Sequence, residues 1–248
     1  MRRIGFSTGA VAKGDFRRGL DALRQKHVTV VELSALRLIE LEPLIRALPD
    51  LDLSSFEFVS VHAPSHLAYI DEAFVTNSLS VAIKLGIPVV VHPDVIFEEN
   101  AWRWMGRLLL IENMDKRKAI GRTAQDLEVL FNKLPESGFC FDIGHARQVD
   151  PTMTEARSIL QAFSGRLAQV HISEVNTNSR HDPLSIYAIS AFRAVADLIP
   201  EGVPVVLETI IDEGQSDIQT EIQRAQSALQ FTHAVLPSEP GVPAPRQG

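Results

Sequence analysis

The sequence predicts an α/β protein built as a single (β/α)8 barrel, and three observations carry that expectation. Eight short apolar runs alternate with helix-like segments along the 248 residues, the pattern of a parallel sheet with helical crossovers. Most of these runs end in a carboxylate or an imidazole, at Glu32, His62, His92, Glu112, Asp142, His171 and Glu208. Reactive groups gather at strand C-termini in such a barrel. These tips recur at a spacing of about 30 residues, the length of one βα unit. No sequence identity links the units, so the cadence is architectural and not that of a repeat family.

The elements follow in order. A first strand is expected over 3–8, then a loop through Gly14 and a helix ending near Lys26. The second strand, 28–33, carries Glu32, and Ser34 can cap a helix running to Leu48. The third, 56–63, carries His62 and is broken by Pro64. A helix over 71–85 ends at Gly86, and the strand 88–91 delivers His92 before Pro93. Residues 95–106, with Trp102 and Trp104, read as a short, partly helical connection in which both rings pack. The strand 108–111 delivers Glu112, a helix covers 123–133, and the sixth strand ends in Asp142. A helix over 152–163 precedes the strand 167–170, which delivers His171. After a polar loop over 174–183 and a helix over 184–198, the strand 203–207 delivers Glu208. The last helix is expected over 216–231.

At 45% hydrophobic, the chain can bury a large core, and barrels of this kind commonly reach this length as one domain. The barrel is assigned to 1–235. The tail 236–248, with Pro237-Ser-Glu-Pro-Gly-Val-Pro-Ala-Pro, has too few apolar groups to pack and reads as a disordered extension. A formal net charge of −7 argues against a general nucleic-acid binder, which would carry a basic footprint. Cys140 is the single cysteine, so no intramolecular disulfide forms, which fits a cytoplasmic protein. Its place two residues before Asp142 makes it a packing residue. The opening residues lack a signal-peptide h-region, and no apolar stretch is long enough to span a membrane.

Alternate residues of a strand share a face. Ser60 and His62 therefore lie together, as do Val90 and His92, Leu110 and Glu112, and Val206 and Glu208. If these faces point inward, His62, His92, Glu112, Asp142, His171 and Glu208 ring one cavity mouth. Packing so many ionisable groups together is costly without a cation. A divalent metal relieves that cost, and a mixed carboxylate and imidazole set suits Zn, Mn or Fe better than Ca or Mg. In Phe139-Cys-Phe-Asp142-Ile-Gly-His145, Gly144 is expected to permit a turn that points His145 back over the strand end.

The pieces Val-Ser-Val-His62, Val-Val-His92, Leu-Leu-Ile-Glu112-Asn, Cys-Phe-Asp142-Ile-Gly-His145, Gln-Val-His171-Ile-Ser and Val-Leu-Glu208 resemble the xylose isomerase-like TIM-barrel superfamily. That superfamily includes the family 2 AP endonucleases, of the endonuclease IV type, and many sugar isomerases and epimerases. The resemblance implies a core metal quartet of Glu112, Asp142, His171 and Glu208. The endonuclease branch implies more: His62 and His92 joining Glu112 on one metal, and His145 joining an Asp-x-His pair on another. Here Ser179-Arg180-His181 stands where Asp-x-His is expected. His181 fits, but serine is a poor metal ligand, and Asp182 is out of register. One to three divalent ions per chain are implied, with a dinuclear site favoured.

Two functions follow from the resemblance. One is metal-assisted hydrolysis of a small phosphoester or nucleotide-like substrate, with Glu112 bridging two metals and Glu112 or Glu208 orienting water. The other is isomerisation or epimerisation of a sugar or sugar phosphate, with one Mn-type metal and with Glu112 and Glu208 moving a proton between faces. A barrel kept only as a binding scaffold would show gaps in the quartet, and none is seen. Glu32 and Arg180 are candidates for substrate contact, Arg180 through a phosphate or carboxylate. His145 is a candidate for metal, catalytic or sugar-oxygen contact. The short loops and the lack of a Lys/Arg cluster at the strand C-termini favour a small molecule over duplex DNA.

Overall fold

The computed structural model describes residues 2–211 and 217–230. The expected tail and the expected ends of the last helix, Ser216 and Phe231, lie outside the described residues. The strands are β1 (Ile4–Ser7), β2 (Val30–Ser34), β3 (Phe58–His62), β4 (Val89–Val91), β5 (Leu109–Glu112), β6 (Gly138–Asp142), β7 (Leu167–Ile172), β8 (Glu174–Val175), β9 (His181–Asp182) and β10 (Val205–Leu207). All but β8 and β9 form one closed parallel barrel, in which β1 pairs with both β2 and β10. The helices are α1 (Thr8–Ala12), α2 (Phe16–Gln25), α3 (Leu38–Ala47), α4 (Glu72–Lys84), α5 (Glu99–Arg103), α6 (Ala124–Lys133), α7 (Ile143–Val149), α8 (Thr154–Phe163), α9 (Ile186–Arg193) and α10 (Ile218–Ala228). No described helix is long and apolar enough to cross a membrane.

Strand alternation divides the apolar residues into two separate cores. Val61, Val91, Ile111, Phe139, Phe141, Ile172 and Leu207 face outward and join the large cluster under the helices. The inward face carries a small plug of Val90, Leu110 and Cys140, with Ala168 against it. Cys140 is fully buried, and burial pushes its thiol well up, so it packs as a small apolar group and is not a nucleophile. Between β6 and β7 the register shifts, so that Phe139 faces Leu167 but Cys140 faces Gln169. The extra residue on β7 brings Gln169 and His171 onto the inward face beside Cys140 and Asp142.

Local chemistry starts most of the helices as expected. Asp15, Thr123, Ser185 and Asp217 each accept a backbone N–H from the first turn of α2, α6, α9 and α10, the usual N-cap arrangement. The connection after β4 is held by the buried Glu72, whose carboxylate accepts from Phe97 N, Glu98 N and Trp102 Nε1. Trp102 is thereby buried as a packing residue, whereas Trp104, also expected to pack, is half exposed.

Four local expectations need correction. Ser34 does not cap α3; its hydroxyl meets Ser7 Oγ at 2.7 Å and tethers β2 to β1. The loop after β1 begins with the short helix α1. The loop 174–183 is in part the antiparallel β8–β9 hairpin. Gly144 makes no left-handed turn, since its φ is not among the positive ones. It lies inside α7, where an added Cβ would stand 2.5 Å from Ser173 O and 2.8 Å from Val175 Cγ2. Glycine is required there for close packing of α7 on β7 and β8.

Candidate metal centre

The predicted tip residues converge at the C-terminal mouth of the barrel. His62 ends β3, His92 follows β4, Glu112 ends β5, Asp142 ends β6, and His171 comes from β7. Glu208 follows β10. The register sets Asp142 opposite His171 and His171 opposite Val206, so neighbouring strands deliver their polar ends at one level. All are buried apart from His92 and Glu208, whose side chains are 12% and 14% exposed.

Glu112 is the centre of the arrangement. Its Oε2 lies 3.3 Å from His62 Nε2 and 3.4 Å from His92 Nε2. Its Oε1 lies 3.3 Å from His171 Nδ1 and 3.4 Å from His145 Nδ1. Glu208 Oε1 approaches His171 Nδ1 at 3.6 Å. Two groups with ligand atoms mutually within 4.8 Å therefore share Glu112: His62 with His92, and Asp142 with His171 and Glu208. A third group of the same compactness joins Glu32, His62, His171 and Glu208.

The donor set fits divalent metal. His62 Nδ1 lies 2.7 Å from Ala63 O, which can only accept, so that nitrogen carries the proton. Its Nε2 then faces a carboxylate oxygen and needs a cation between or on them. One oxygen of Asp142, Oδ2, is buried without a hydrogen-bond partner, while Oδ1 caps α7 by accepting from His145 N at 2.6 Å. The nearest cation to Oδ2 is the His145 ring, with Nδ1 3.5 Å away. Burial with the Glu112 charge pushes the Asp142 carboxyl up, a cost that a bound cation would relieve.

The electrostatics express the same competition. Burial alone pulls the His62 imidazole down, but the Glu112 hydrogen bond and the charges of Glu32, Glu112 and Glu208 outweigh it and raise it to about 9. His145 is likewise raised against burial by Asp142 and Glu112. Burial and Glu112 outweigh His171 at Glu208 and push its carboxyl up to about 7. Burial, reinforced by the charge of His145, lowers His181 to about 3, so its imidazole stays neutral.

Asn113 is buried and fixes the ends of two strands. Its side-chain nitrogen donates to Asp142 O and its Oδ1 accepts from Asp142 N, both at 2.8 Å. Its own carbonyl lies 3.0 Å from His145 Nδ1. A residue beside a ligand that fixes its neighbours in this way is the usual support of a metal centre.

His181 reaches the site from β9, with Nδ1 3.4 Å from Glu208 Oε2 and 2.8 Å from Ser173 Oγ. Ser179 does not follow it. Its hydroxyl accepts from Gln148 Nε2 and bonds the Asp115 carboxylate, so the expected third set lacks a carboxylate at that position. Asp182 offers none, because Oδ2 accepts from Asn176 Nδ2 in the hairpin.

Two expected substrate contacts are placed elsewhere. Glu32 has no exposure and lies beneath the ligand ring, against Ser60, Gln169 and His171. A residue so enclosed cannot meet substrate at the mouth. Arg180 sits on the β8–β9 turn with Nε 3.6 Å from Asp182 Oδ1 and does not line the mouth.

The mouth is a cavity of about 130 Å³ above the ligand groups, and Ser65, His66, Asp115, Arg117 and Lys118 contribute to its wall. Two cations, Arg117 and Lys118, thus stand at the strand C-termini, where no Lys/Arg cluster was expected. Lys118 Nζ pairs with Asp94 Oδ2 at 2.6 Å, and Arg117 pairs with Asp115 at 3.0 Å. The run Asp115-Lys-Arg-Lys118, directly after Glu112-Asn-Met, was the signal for them. A larger hollow of about 560 Å³, around Arg2, Ile199 and Leu229, lies at the opposite end and, among the described residues, brings no cluster of ligating side chains with it.

No family model matches the chain, and no curated protein does. Among solved structures it is similar to endonuclease IV from Thermus thermophilus, at 19% identity, with 92% of this chain and 98% of the other covered and a TM-score of 0.61. It is similar to a xylose isomerase-like TIM-barrel protein from Mycobacterium smegmatis in complex with magnesium, at 14% identity, 93% and 98% coverage and a TM-score of 0.56. A protein from Anabaena variabilis, provisionally named a sugar phosphate isomerase/epimerase, matches at 14% identity, 100% and 93% coverage and a TM-score of 0.52. The chain therefore has the xylose isomerase-like TIM-barrel fold that its motifs led us to expect.

Proposed function

We propose that the protein is a divalent-metal-dependent hydrolase of small phosphoester or nucleotide-like substrates, with two ions of the Zn, Mn or Fe type. The observation that carries this reading is the division of Glu112. One oxygen faces His62 and His92, and the other faces His171 and His145. A carboxylate divided in this way would serve both candidate ligand groups, which share Glu112. His62, His92 and Glu112 would hold one ion, and Glu112, Asp142, His171 and Glu208 the other. His145 and His181 would complete the ring, and the replacement of a carboxylate by Ser179 weakens a third position. When bound, the ions supply Lewis acidity toward a phosphoryl oxygen and acidify water.

The chain's own groups supply the rest. Glu208, whose side chain is 14% exposed at the mouth, can orient the attacking water there. Glu112 keeps the two histidine sets in register. His145, fixed through Asn113 O, presents its outer ring edge to the cavity. Lys118 and Arg117 put positive charge on the rim, which supports an anionic substrate. The cavity of about 130 Å³ supports a small one over duplex DNA.

A second reading, sugar or sugar-phosphate isomerisation, is favoured by one observation. Glu112 and Glu208 both approach His171 Nδ1, at 3.3 and 3.6 Å, so two carboxylates of the quartet are close together at the mouth, where they could move a proton.

The double variant His62→Ala/His92→Ala separates the readings. With aryl phosphate mono- and diesters as substrates, it is expected to lose one metal equivalent and about 100-fold or more in rate, the scale of losing one electrostatic stabiliser. Interconversion of ketoses by a double variant that keeps its quartet metal would establish the isomerase reading instead.

A further inference from the structure

We propose that Glu32 is a positioning residue, whose buried carboxylate holds the Nε2–H of His171 and thereby leaves His171 Nδ1 free to ligate metal. The inference rests on the metal-centre reading above and extends it to a residue outside the ligand ring. Glu32 Oε2 lies 3.0 Å from His171 Nε2, and His171 Nδ1, on the far side of the ring, faces Glu112 and Glu208. Both residues have zero exposure, so water cannot substitute for either partner.

The polar layer around Glu32 converges on a single acceptor. Ser60 Oγ donates to Oε2 at 3.2 Å, and Gln169 Nε2 donates to it at 2.7 Å. Gln169 Nε2 also lies 2.8 Å from His171 Nε2, and taken alone it would favour the opposite tautomer, with Nε2 bare. The carboxylate decides against that. A charge-assisted hydrogen bond is roughly twice as strong as a neutral one, and a bare Nε2 would set a lone pair against an anionic oxygen at 3.0 Å.

Glu32 is expensive to keep for folding alone. Its other oxygen, Oε1, is buried without a hydrogen-bond partner, and so is Gln169 Oε1. An apolar residue on this inward position of β2 would add to the inward-facing apolar plug of Val90, Leu110 and Cys140 at no such cost. Fixing an imidazole through its second nitrogen is the use to which a carboxylate is commonly put beside a metal. The nearness of Glu32 to His62 and Glu208 makes direct ligation the competing role, and the two roles differ in what glutamine can replace.

The test uses zinc alone as probe, on wild-type protein, Glu32→Gln and Glu32→Ala, with affinity from competition against a chelator and side-chain 15N spectra of His171 in the zinc-loaded wild type. Glu32→Ala is expected to bind zinc about 10–100-fold more weakly, with unchanged stoichiometry. Glu32→Gln, which keeps a carbonyl acceptor, is expected to recover most of that loss. The wild-type spectrum should show a protonated Nε2 and a metal-bound Nδ1. Circular dichroism of the metal-free variants confirms that they fold; should Glu32→Ala fail to, Glu32→Gln and the wild-type spectrum still decide. Equal affinity in wild type and variants, ligation of His171 through Nε2, or loss of a whole zinc equivalent in both variants would overturn the proposal. A wild type that binds no zinc would instead overturn the metal-centre reading, and this inference with it.

Discussion

Asp142 and His145 are joined through the backbone: Asp142 Oδ1 accepts the His145 N–H at 2.6 Å, while Asp142 Oδ2 has no hydrogen-bond partner. One carboxylate thus begins the helix α7 and offers its other oxygen to the ring of ligands. The two duties are separable. Asp142→Asn keeps an acceptor for the cap and is expected to unfold within about 1 kcal/mol of the wild type, yet to lose the quartet metal. Asp142→Ala should lose the metal and a further ~1 kcal/mol from the cap. Denaturant unfolding of the metal-free proteins, set beside a metal titration of each, checks both halves.

Metal binding should be coupled to proton release. In the metal-free protein His62 is raised to about 9 and Glu208 to about 7. A group raised in this way keeps its proton below that value, and the metal needs the bare Nε2 and the ionised carboxylate. Apparent affinity is therefore expected to climb with pH up to about 9, more steeply below about 7 where Glu208 also gives up a proton, by about one log unit per pH unit for each proton displaced. Calorimetry in two buffers of different ionisation enthalpy counts the protons. An affinity flat between about 7 and about 9 would remove His62 from the ligand set, and a slope no steeper below about 7 would remove Glu208.

Lys118 provides a separate check on substrate charge. Its side chain is 12% exposed, and its ammonium is held by Asp94 at the mouth. Lys118→Ala is expected to raise KM for an aryl phosphate roughly 10–100-fold, the value of a hydrogen bond to a charged group, with metal content unchanged. An unaltered KM would place the substrate's charge elsewhere.

Much of this was legible in the sequence because it follows from the period of two. Alternation along each strand set His62, His92, Glu112, Asp142, His171 and Glu208 inward, and eight such strands close one barrel. What depended on depth or on contact across strands was hidden. Glu32 shares the inward face of its neighbours, yet it stands a level lower, opposite Ser60 and not opposite His62. Strand periodicity names a face and not a height. Gly144 looked like a turn residue because Asp and Gly are turn formers, but the backbone of Ser173 is what demands it. Ser34 had a capping side chain, and Ser7 across the barrel seam took it. Lys118 lies on a loop whose path is set by Asp94 from another βα unit, a partner that no local pattern identifies.

The central claim is that Glu112 stands between two metal positions, and the most direct measurement is elemental analysis of the purified protein without added metal. Two equivalents of zinc, manganese or iron per chain are expected, falling to one in His62→Ala/His92→Ala. A protein that holds no metal, even after reconstitution, would contradict the claim.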